Sequence, residues 1–153
     1  MADWKFYQES AMTNAYTSFA CPATVSTFHV WLGSTTTGRK IVSTTTGGNL
    51  SVAVADSTTG GHATTAVKLA TTTGGLAGAT PGAALTIGTS VVGGTPFAFV
   101  AQFTDAVGSG LYDEGFSIAY PDIDATYANP STAASTATFE VAIPEDSLTL
   151  ISG

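Results

Sequence analysis

The sequence predicts an all-β fold, an antiparallel β-sandwich of two sheets with about eight strands. Apolar and polar residues alternate along short segments, glycine-rich turn signals separate these segments, and no window keeps a helical period over three turns. Alternation with a period of two marks a strand with one buried face. Because some segments are half-polar and others are apolar on both faces, a two-sheet sandwich fits better than a closed barrel. Immunoglobulin-like and jelly-roll-like strand orders both remain open.

The longer segments show the alternation most clearly. In residues 25–33 one face carries Phe28, Val30 and Leu32, and the other carries Thr27, His29 and Trp31. Residues 49–55 place Leu50, Val52 and Val54 on one face. In residues 95–104 one face carries Phe97, Phe99, Ala101 and Phe103, and the other carries Ala98, Val100 and Gln102. The same pattern predicts further strands at 3–8, 39–43, 65–71, 84–92, 115–120 and 137–143.

A turn-like phrase recurs between these segments. It reads STTTG at 34–38, STTTGG at 43–48, STTGG at 57–61 and TTTGG at 71–75. Glycine supplies the positive φ that tight turns demand. The spacing of the phrases is irregular, and the sequences between them do not match, so we interpret them as punctuation between strands rather than as a repeat array.

Composition and charge exclude several classes of protein. The 153 residues suffice for one domain, and only 10% of them are charged. The formal net charge is −7, and residues 105–153 hold eight acids without a lysine or arginine. Four scattered basic residues leave no footprint for phosphates, so we expect binding neither to nucleic acid nor to an anionic membrane.

No catalytic constellation is present in the sequence. The two histidines and single cysteine match no nucleophilic triad and no zinc spacing, and we expect no enzymatic activity and no cofactor. The weak metal candidates are loop carboxylates that suit calcium: Asp113, Glu114, Asp122 and Asp124. The alternative is a solvated acidic edge that keeps the protein soluble.

The N-terminal residues 1–20 are predicted to form a strand or arm, followed by a single sandwich domain over 21–153. This arm is a candidate docking segment because aromatic residues dominate interface energies. Its interface candidates are Trp4, Phe6, Tyr7, Tyr16 and Phe19. The alternative, given equal weight, is that these aromatics close the protein's own core. The opening residues lack a signal-peptide pattern and no apolar stretch is long enough for a membrane span, so we expect synthesis in a cytoplasm.

Residues 65–104 read TAVKLATTTGGLAGATPGAALTIGTSVVGGTPFAFVAQFT. Their KLA-type strand, Gly/Ala segment, PGAALTIG phrase and GG turn before an apolar strand resemble β-sandwich virion structural proteins of tailed bacteriophages, of the capsid decoration or tail accessory type. The resemblance covers about a quarter of the chain firmly, and its motifs are structural. It implies a non-enzymatic protein located in the viral particle, and no catalytic residue is carried over.

The resulting functional expectation is a capsid decoration or cement protein that docks on the lattice of the major capsid protein. Its partners would be other virion proteins, and it would form a homo-oligomer or part of a lattice, with main-chain and apolar contacts in place of salt bridges. The alternatives are a tail, fibre or baseplate component, or a surface carbohydrate-binding or adhesin-like module. Exposed aromatics such as Trp31 would favour the last alternative.

Overall fold

The structure, a computed structural model, describes residues 4–17, 24–38, 40–42, 48–56, 63–104, 114–122 and 135–143, with residues 55–56 and the last two ranges described by their backbone alone. These ranges contain ten strands, two short 3-10 helices at Thr64–Ala66 and Thr73–Ala77, and no α-helix. The strands are β1 Lys5–Tyr7, β2 Val25–Gly33, β3 Lys40–Val42, β4 Leu50–Asp56, β5 Val67–Ala70, β6 Leu85–Gly88, β7 Ser90–Val92, β8 Phe97–Thr104, β9 Glu114–Asp122 and β10 Ser135–Ile143.

The strands form two four-stranded antiparallel sheets that pack on a common core. Sheet A has the order β1-β2-β8-β5, sheet B has the order β10-β9-β4-β6, and β3 pairs with β7 in a separate two-stranded ribbon. One cluster of buried side chains joins all three, so the predicted all-β, two-sheet sandwich is confirmed. The most deeply buried members are Phe6, Val30, Leu32 and Phe99 from sheet A, Leu50 and Val52 from sheet B, and Ile41 from β3.

The pairing between the sheets is nested along the chain. β2, β3 and β4 pair in turn with β8, β7 and β6, as the partners Leu32↔Phe97, Ile41↔Val91 and Val52↔Leu85 show. One antiparallel ribbon therefore passes from sheet A through β3-β7 into sheet B. Such nesting is of the jelly-roll-like kind. β5 leaves the tip of this ribbon and returns to sheet A beside β8.

Most predicted strands are confirmed within a few residues of their ends, but the prediction of one strand over 84–92 is wrong. The chain forms β6 and β7 there, and these pair with β4 and β3 in different sheets. Gly88 ends β6 with φ +103°, a conformation that L side chains rarely adopt. The alternation of apolar residues continues across this break, so periodicity alone did not reveal it.

β1 is an integral strand of sheet A. Phe6 stands opposite Leu32 on β2, and its ring meets that of Phe99 edge-on, with centroids 5.9 Å apart at 79°. Edge-to-face contact is a favourable geometry for aromatic rings. The N-terminal segment thus supplies part of the core.

Two of the four turn phrases, at 34–38 and 71–75, lie within the described residues. In the first, Gly38 adopts φ +79° in a turn. In the fourth, Thr72 caps the Thr73–Ala77 helix, and its Oγ1 accepts a hydrogen bond from the backbone N–H of Gly75 over 3.2 Å. The phrases at 43–48 and 57–61 lie almost wholly outside the described residues.

Candidate functional site

The outer face of sheet A carries a group of accessible side chains that we call the platform: Thr27, His29 and Trp31 on β2, and Ala98 and Gln102 on β8. Strand alternation places them there, because Val30, Leu32, Phe99 and Ala101 on the other face enter the core. Thr27, His29 and Ala98 are exposed, and Trp31 and Gln102 are partly exposed. The register pairs Trp31 with Ala98 and Thr27 with Gln102.

An aromatic pair lies at the centre of the platform. The rings of His29 and Trp31 are two residues apart on one strand, with centroids 6.3 Å apart and an angle of 30° between their planes. Trp31 stands between the small side chain of Ala98 on β8 and the buried Tyr7 on β1, and its indole is partly exposed. Two neighbouring rings, both accessible to solvent, form a surface on which a flat ligand can stack.

A row of polar groups crosses three strands next to this pair. Thr27 on β2 stands opposite Gln102 on β8, which stands opposite Lys68 on β5. The Gln102 Nε2 donates a hydrogen bond to Thr27 Oγ1 over 3.2 Å. This bond orients the amide so that its carbonyl oxygen and the Thr27 hydroxyl hydrogen are directed to other partners.

The Thr73–Ala77 helix borders the platform on the β5 side. Its Leu76 is buried and packs with Ala70 and Val100, two residues of the outer face of sheet A. Val100 stands opposite His29, so the helix rises directly beside the histidine. The sequence places Val100 on the outer face, but it did not reveal that residues downstream of β5 cover it.

Met12 borders the platform at the Trp31 end of β2. Gly33, two residues beyond Trp31 on the same strand face, is buried beneath Met12 and Pro96. A Cβ at position 33 would lie 2.5 Å from Met12 Sδ and 2.9 Å from Pro96 Cβ, so only glycine fits without displacement of neighbours. Met12 itself has φ 56°, in the left-handed region.

The turn that presents Met12 is organised by one carboxylate. Glu9 Oε1 accepts hydrogen bonds from the Thr13 hydroxyl at 2.6 Å and from the backbone N–H groups of Asn14 at 2.6 Å and Thr13 at 3.0 Å. Its Oε2 accepts from Asn14 Nδ2 at 3.1 Å. The Thr13 side-chain bond, followed by those from Asn14, lowers the pKa of Glu9 from 4.5 to about 2.

The structure places three of the aromatic interface candidates inside the protein. Trp4 and Phe6 belong to the core cluster, at 5% and 0% exposure, in agreement with the alternative that these residues close the core. Tyr7 is also only 5% exposed, but it pairs with Trp31 and is therefore buried on the outer face of sheet A. Tyr16 is partly buried against the core, and its hydroxyl donates to the His29 carbonyl oxygen over 2.9 Å. Burial, with the Glu9 charge as a second cause, raises the pKa of Tyr16. Phe19 lies outside the described residues.

The calcium candidates fall only partly within the described residues. Glu114 and Asp122 begin and end β9, so their backbones are about 27 Å apart at the rise of an antiparallel strand and one ion cannot bind both. Asp113 and Asp124 lie outside the described residues. Among the side chains that the structure describes, no three of the histidine, cysteine, aspartate and glutamate type cluster as metal ligands do.

The outer strands of the two sheets differ in length and in the contacts that the described residues make with them. At the β1 edge, Tyr7 bridges to Ala15, and the Tyr16 N–H donates to the Phe6 carbonyl oxygen. At the β5 edge, the Gly82 N–H donates to the Val67 carbonyl oxygen over 2.8 Å. At the edge of sheet B, the nine residues of β10 pair with β9, and they include neither lysine nor proline.

Comparisons with other proteins add no family to these observations: no protein-family model, curated protein or solved structure matches the chain. Within the described ranges, no helix has the length and apolar character needed to cross a membrane.

Proposed function

We propose that this protein is a non-enzymatic structural subunit of a tailed-bacteriophage virion, a decoration protein that binds the lattice of the major capsid protein. The observation that carries the proposal is the edge formed by β10. Among the described strands β10 is an outer strand of sheet B with nine residues, and a strand in such a position can offer a row of backbone donors and acceptors to a neighbouring chain. Attachment then uses main-chain hydrogen bonds, in line with a sequence that has few charges to offer.

The length and the composition of β10 support this role. The β1 and β5 edges each accept or exchange main-chain hydrogen bonds with other parts of the same chain. β10 is longer than either of these strands and carries none of the lysines and prolines by which natural edges avoid pairing. The resemblance of residues 65–104 to phage virion proteins supports the viral particle as the assembly.

Purified particles and two proline variants test the proposal. Consecutive residues of an antiparallel strand direct their N–H groups to opposite sides, so Ala137→Pro and Thr138→Pro differ in which side they disrupt. The variant at the position whose N–H group faces β9 breaks the pairing with β9 and lowers the melting temperature. The other keeps more of the melting temperature, and we expect it to lose attachment to particles.

The variant Thr138→Lys gives a second measurement that leaves the β9 pairing intact, since lysine disfavours edge pairing through its side chain. We expect its copy number per particle to fall while its melting temperature stays near that of the wild type. Absence of the wild-type protein from purified particles, or unchanged attachment of every folded β10 variant, would contradict the proposal.

A tail, fibre or baseplate subunit is the closest alternative, because it would use the same edge in another part of the particle. Separation of heads from tails, followed by quantification of the protein in each, distinguishes the two locations. We expect the protein in the head fraction. A second candidate function, saccharide recognition, is favoured by the pair of accessible rings on the platform.

A further inference from the structure

We propose that the platform is a binding site for a saccharide chain that carries carboxylate groups. The site consists of the His29 and Trp31 rings with the polar row of Thr27, Gln102 and Lys68 beside them. It lies on sheet A, whereas the proposed attachment edge is on sheet B. The inference therefore stands independently of attachment to a particle.

The first argument is the chemistry of the floor. A sugar ring has an apolar face of C–H groups and an edge of hydroxyl groups, and it stacks on aromatic side chains that keep contact with solvent. Trp31 and His29 provide two such rings 6.3 Å apart along one strand, so consecutive sugars of one chain can use both. The sandwich core needs neither ring, since Val30 and Leu32 fill the inner face of the same strand.

The second argument is the polar row. Sugar hydroxyls both donate and accept, and the row offers both functions: the Gln102 carbonyl oxygen accepts, while the Thr27 hydroxyl and the Lys68 ammonium donate. Facing residues on adjacent antiparallel strands have Cβ atoms about 5 Å apart, so the row lies within reach of one ligand. The bond from Gln102 to Thr27 holds two of these groups in place before a ligand arrives.

The third argument is shape. The Thr73–Ala77 helix lies over Val100 and Ala70 on one side, and Met12 lies over Gly33 at one end. They cover the outer face on the β5 side and at the Gly33 end, and they leave Thr27, His29 and Ala98 exposed between them. The accessible residues between these borders follow β2, so an extended chain can lie along that strand.

The fourth argument is charge. Lys5 and Lys68 lie on the outer face of sheet A near its two edges, and the described strand residues contribute no carboxylate to that face. The Glu9 carboxylate lies in the turn that presents Met12, at the end of the platform away from Lys68. Lys68 stands directly beside Gln102 in the polar row. A ligand with a carboxylate gains a charge-assisted hydrogen bond at this position. We therefore expect uronic-acid-containing chains to bind more tightly than neutral ones.

The test is binding of the full chain to an immobilised panel of neutral hexose oligosaccharides and uronic-acid oligosaccharides. The variants are Trp31→Ala and Gln102→Ala, and the matched control is Val92→Ala, an exposed residue of β7 outside sheet A. We expect wild type to bind uronic-acid probes, Trp31→Ala to lose at least about tenfold in affinity, a loss of about 1.4 kcal/mol, and the control to stay within about twofold. Lys68→Gln should remove the preference for uronic acids over neutral probes.

Tryptophan fluorescence gives a second measurement on the same samples. Trp4 is buried in the core, so a change in emission or in acrylamide quenching on binding reports Trp31. Wild-type protein that retains no probe, or probe affinity unchanged in folded Trp31→Ala, would overturn the proposal. So would loss of particle attachment by Trp31→Ala without saccharide binding, because the platform would then dock protein. Loss of attachment only in the β10 variants tests the proposed function and does not affect the proposal of a saccharide site.

Discussion

At the scale of single residues, Gly33 determines how the platform ends. The change Gly33→Ala places a methyl group within 2.5 Å of Met12 Sδ and 2.9 Å of Pro96 Cβ. Overpacking of this kind costs about 1–3 kcal/mol of unfolding free energy. Chemical denaturation should show this loss, together with a change in the accessibility of the neighbouring Trp31.

Gly74→Ala is the matched control, because a Cβ at Gly74 meets no atom within 4 Å. We expect its stability to stay within about 0.5 kcal/mol of the wild type. In the double variant Met12→Ala with Gly33→Ala the closest contact is gone. Its loss of unfolding free energy should therefore be smaller than the sum of the losses in the two single variants. Equal stabilities of Gly33→Ala and Gly74→Ala would refute the tight packing at Gly33.

Glu9 makes the turn beneath Met12 sensitive to acid. The pKa is lowered to about 2 in the folded protein from 4.5, so the carboxylate stabilises the fold fully above pH 4.5. This contribution is lost as the pH falls from 4.5 towards 2, where the folded-state group takes up its proton. An NMR titration should give a Glu9 pKa of about 2, and the melting temperature should fall across this window.

Glu9→Gln serves as the comparison for the pH series. Glutamine keeps the size of the side chain but cannot accept these bonds as a carboxylate, so the variant should melt lower at pH 7 and show a smaller change between pH 4.5 and 2. A Glu9 titration near 4.5, or identical pH profiles for the two proteins, would show that the hydrogen bonds do not persist in solution.

The accessible rings of the platform could be predicted from the sequence, and the borders of the platform could not. The period of two along 25–33 separates His29 and Trp31 from Val30 and Leu32, because backbone geometry alone dictates that alternation. Val100 is buried against Leu76, which lies 24 residues earlier in the chain. No local pattern specifies such a contact.

At the scale of elements, β1 decides between a docking arm and a core strand. Phe6 is fully buried, pairs through its strand with Leu32 and contacts the Phe99 ring. We expect Phe6→Ala to lower the unfolding free energy by about 3–5 kcal/mol. Thermal and urea unfolding followed by circular dichroism measure this effect without any particle.

Lys5→Ala, the exposed neighbour on the same strand, is the control and should change stability by less than about 0.5 kcal/mol. If Phe6 served only as a docking residue, its removal would leave the isolated protein as stable as the Lys5 variant and would reduce attachment alone. Deletion of residues 1–10 should likewise lower stability, because it removes Trp4 and Phe6 from the core.

The segment 84–92 shows why element boundaries were harder to predict than element types. Apolar residues alternate across the whole stretch, and the sequence signal for a strand is real on both sides of Gly88. The break arises because the two halves pair with β4 and β3 in different sheets. Such pairing is set by distant residues, so the local pattern identifies strands but not the sheet to which each belongs.

At the scale of the whole molecule, the nested ribbon joins β2, β3 and β4 to β8, β7 and β6. It brings residues far apart in sequence into one core and leaves β1, β5, β6 and β10 as the outer strands of the two main sheets. Fold class could be predicted because strands and turns are local signals. Strand order could not, because it depends on closure of long loops between residues that carry no matching motif.

The low charge of the chain leads to a prediction about attachment to particles. Contacts made by strand pairing and apolar packing are insensitive to screening, whereas exposed ion pairs weaken as the Debye length falls from about 10 Å in 0.1 M salt to about 3 Å in 1 M salt. Only 10% of the residues are charged, and β10 contains a single charged residue, Glu140. We therefore expect particles washed with sodium chloride up to 1 M to keep their copies of the protein, as quantified by gel densitometry.

A parallel wash in ammonium sulfate separates the causes, because sulfate strengthens apolar burial while it screens charges equally well. Release by both salts would identify an electrostatic contact and contradict attachment through the β10 edge.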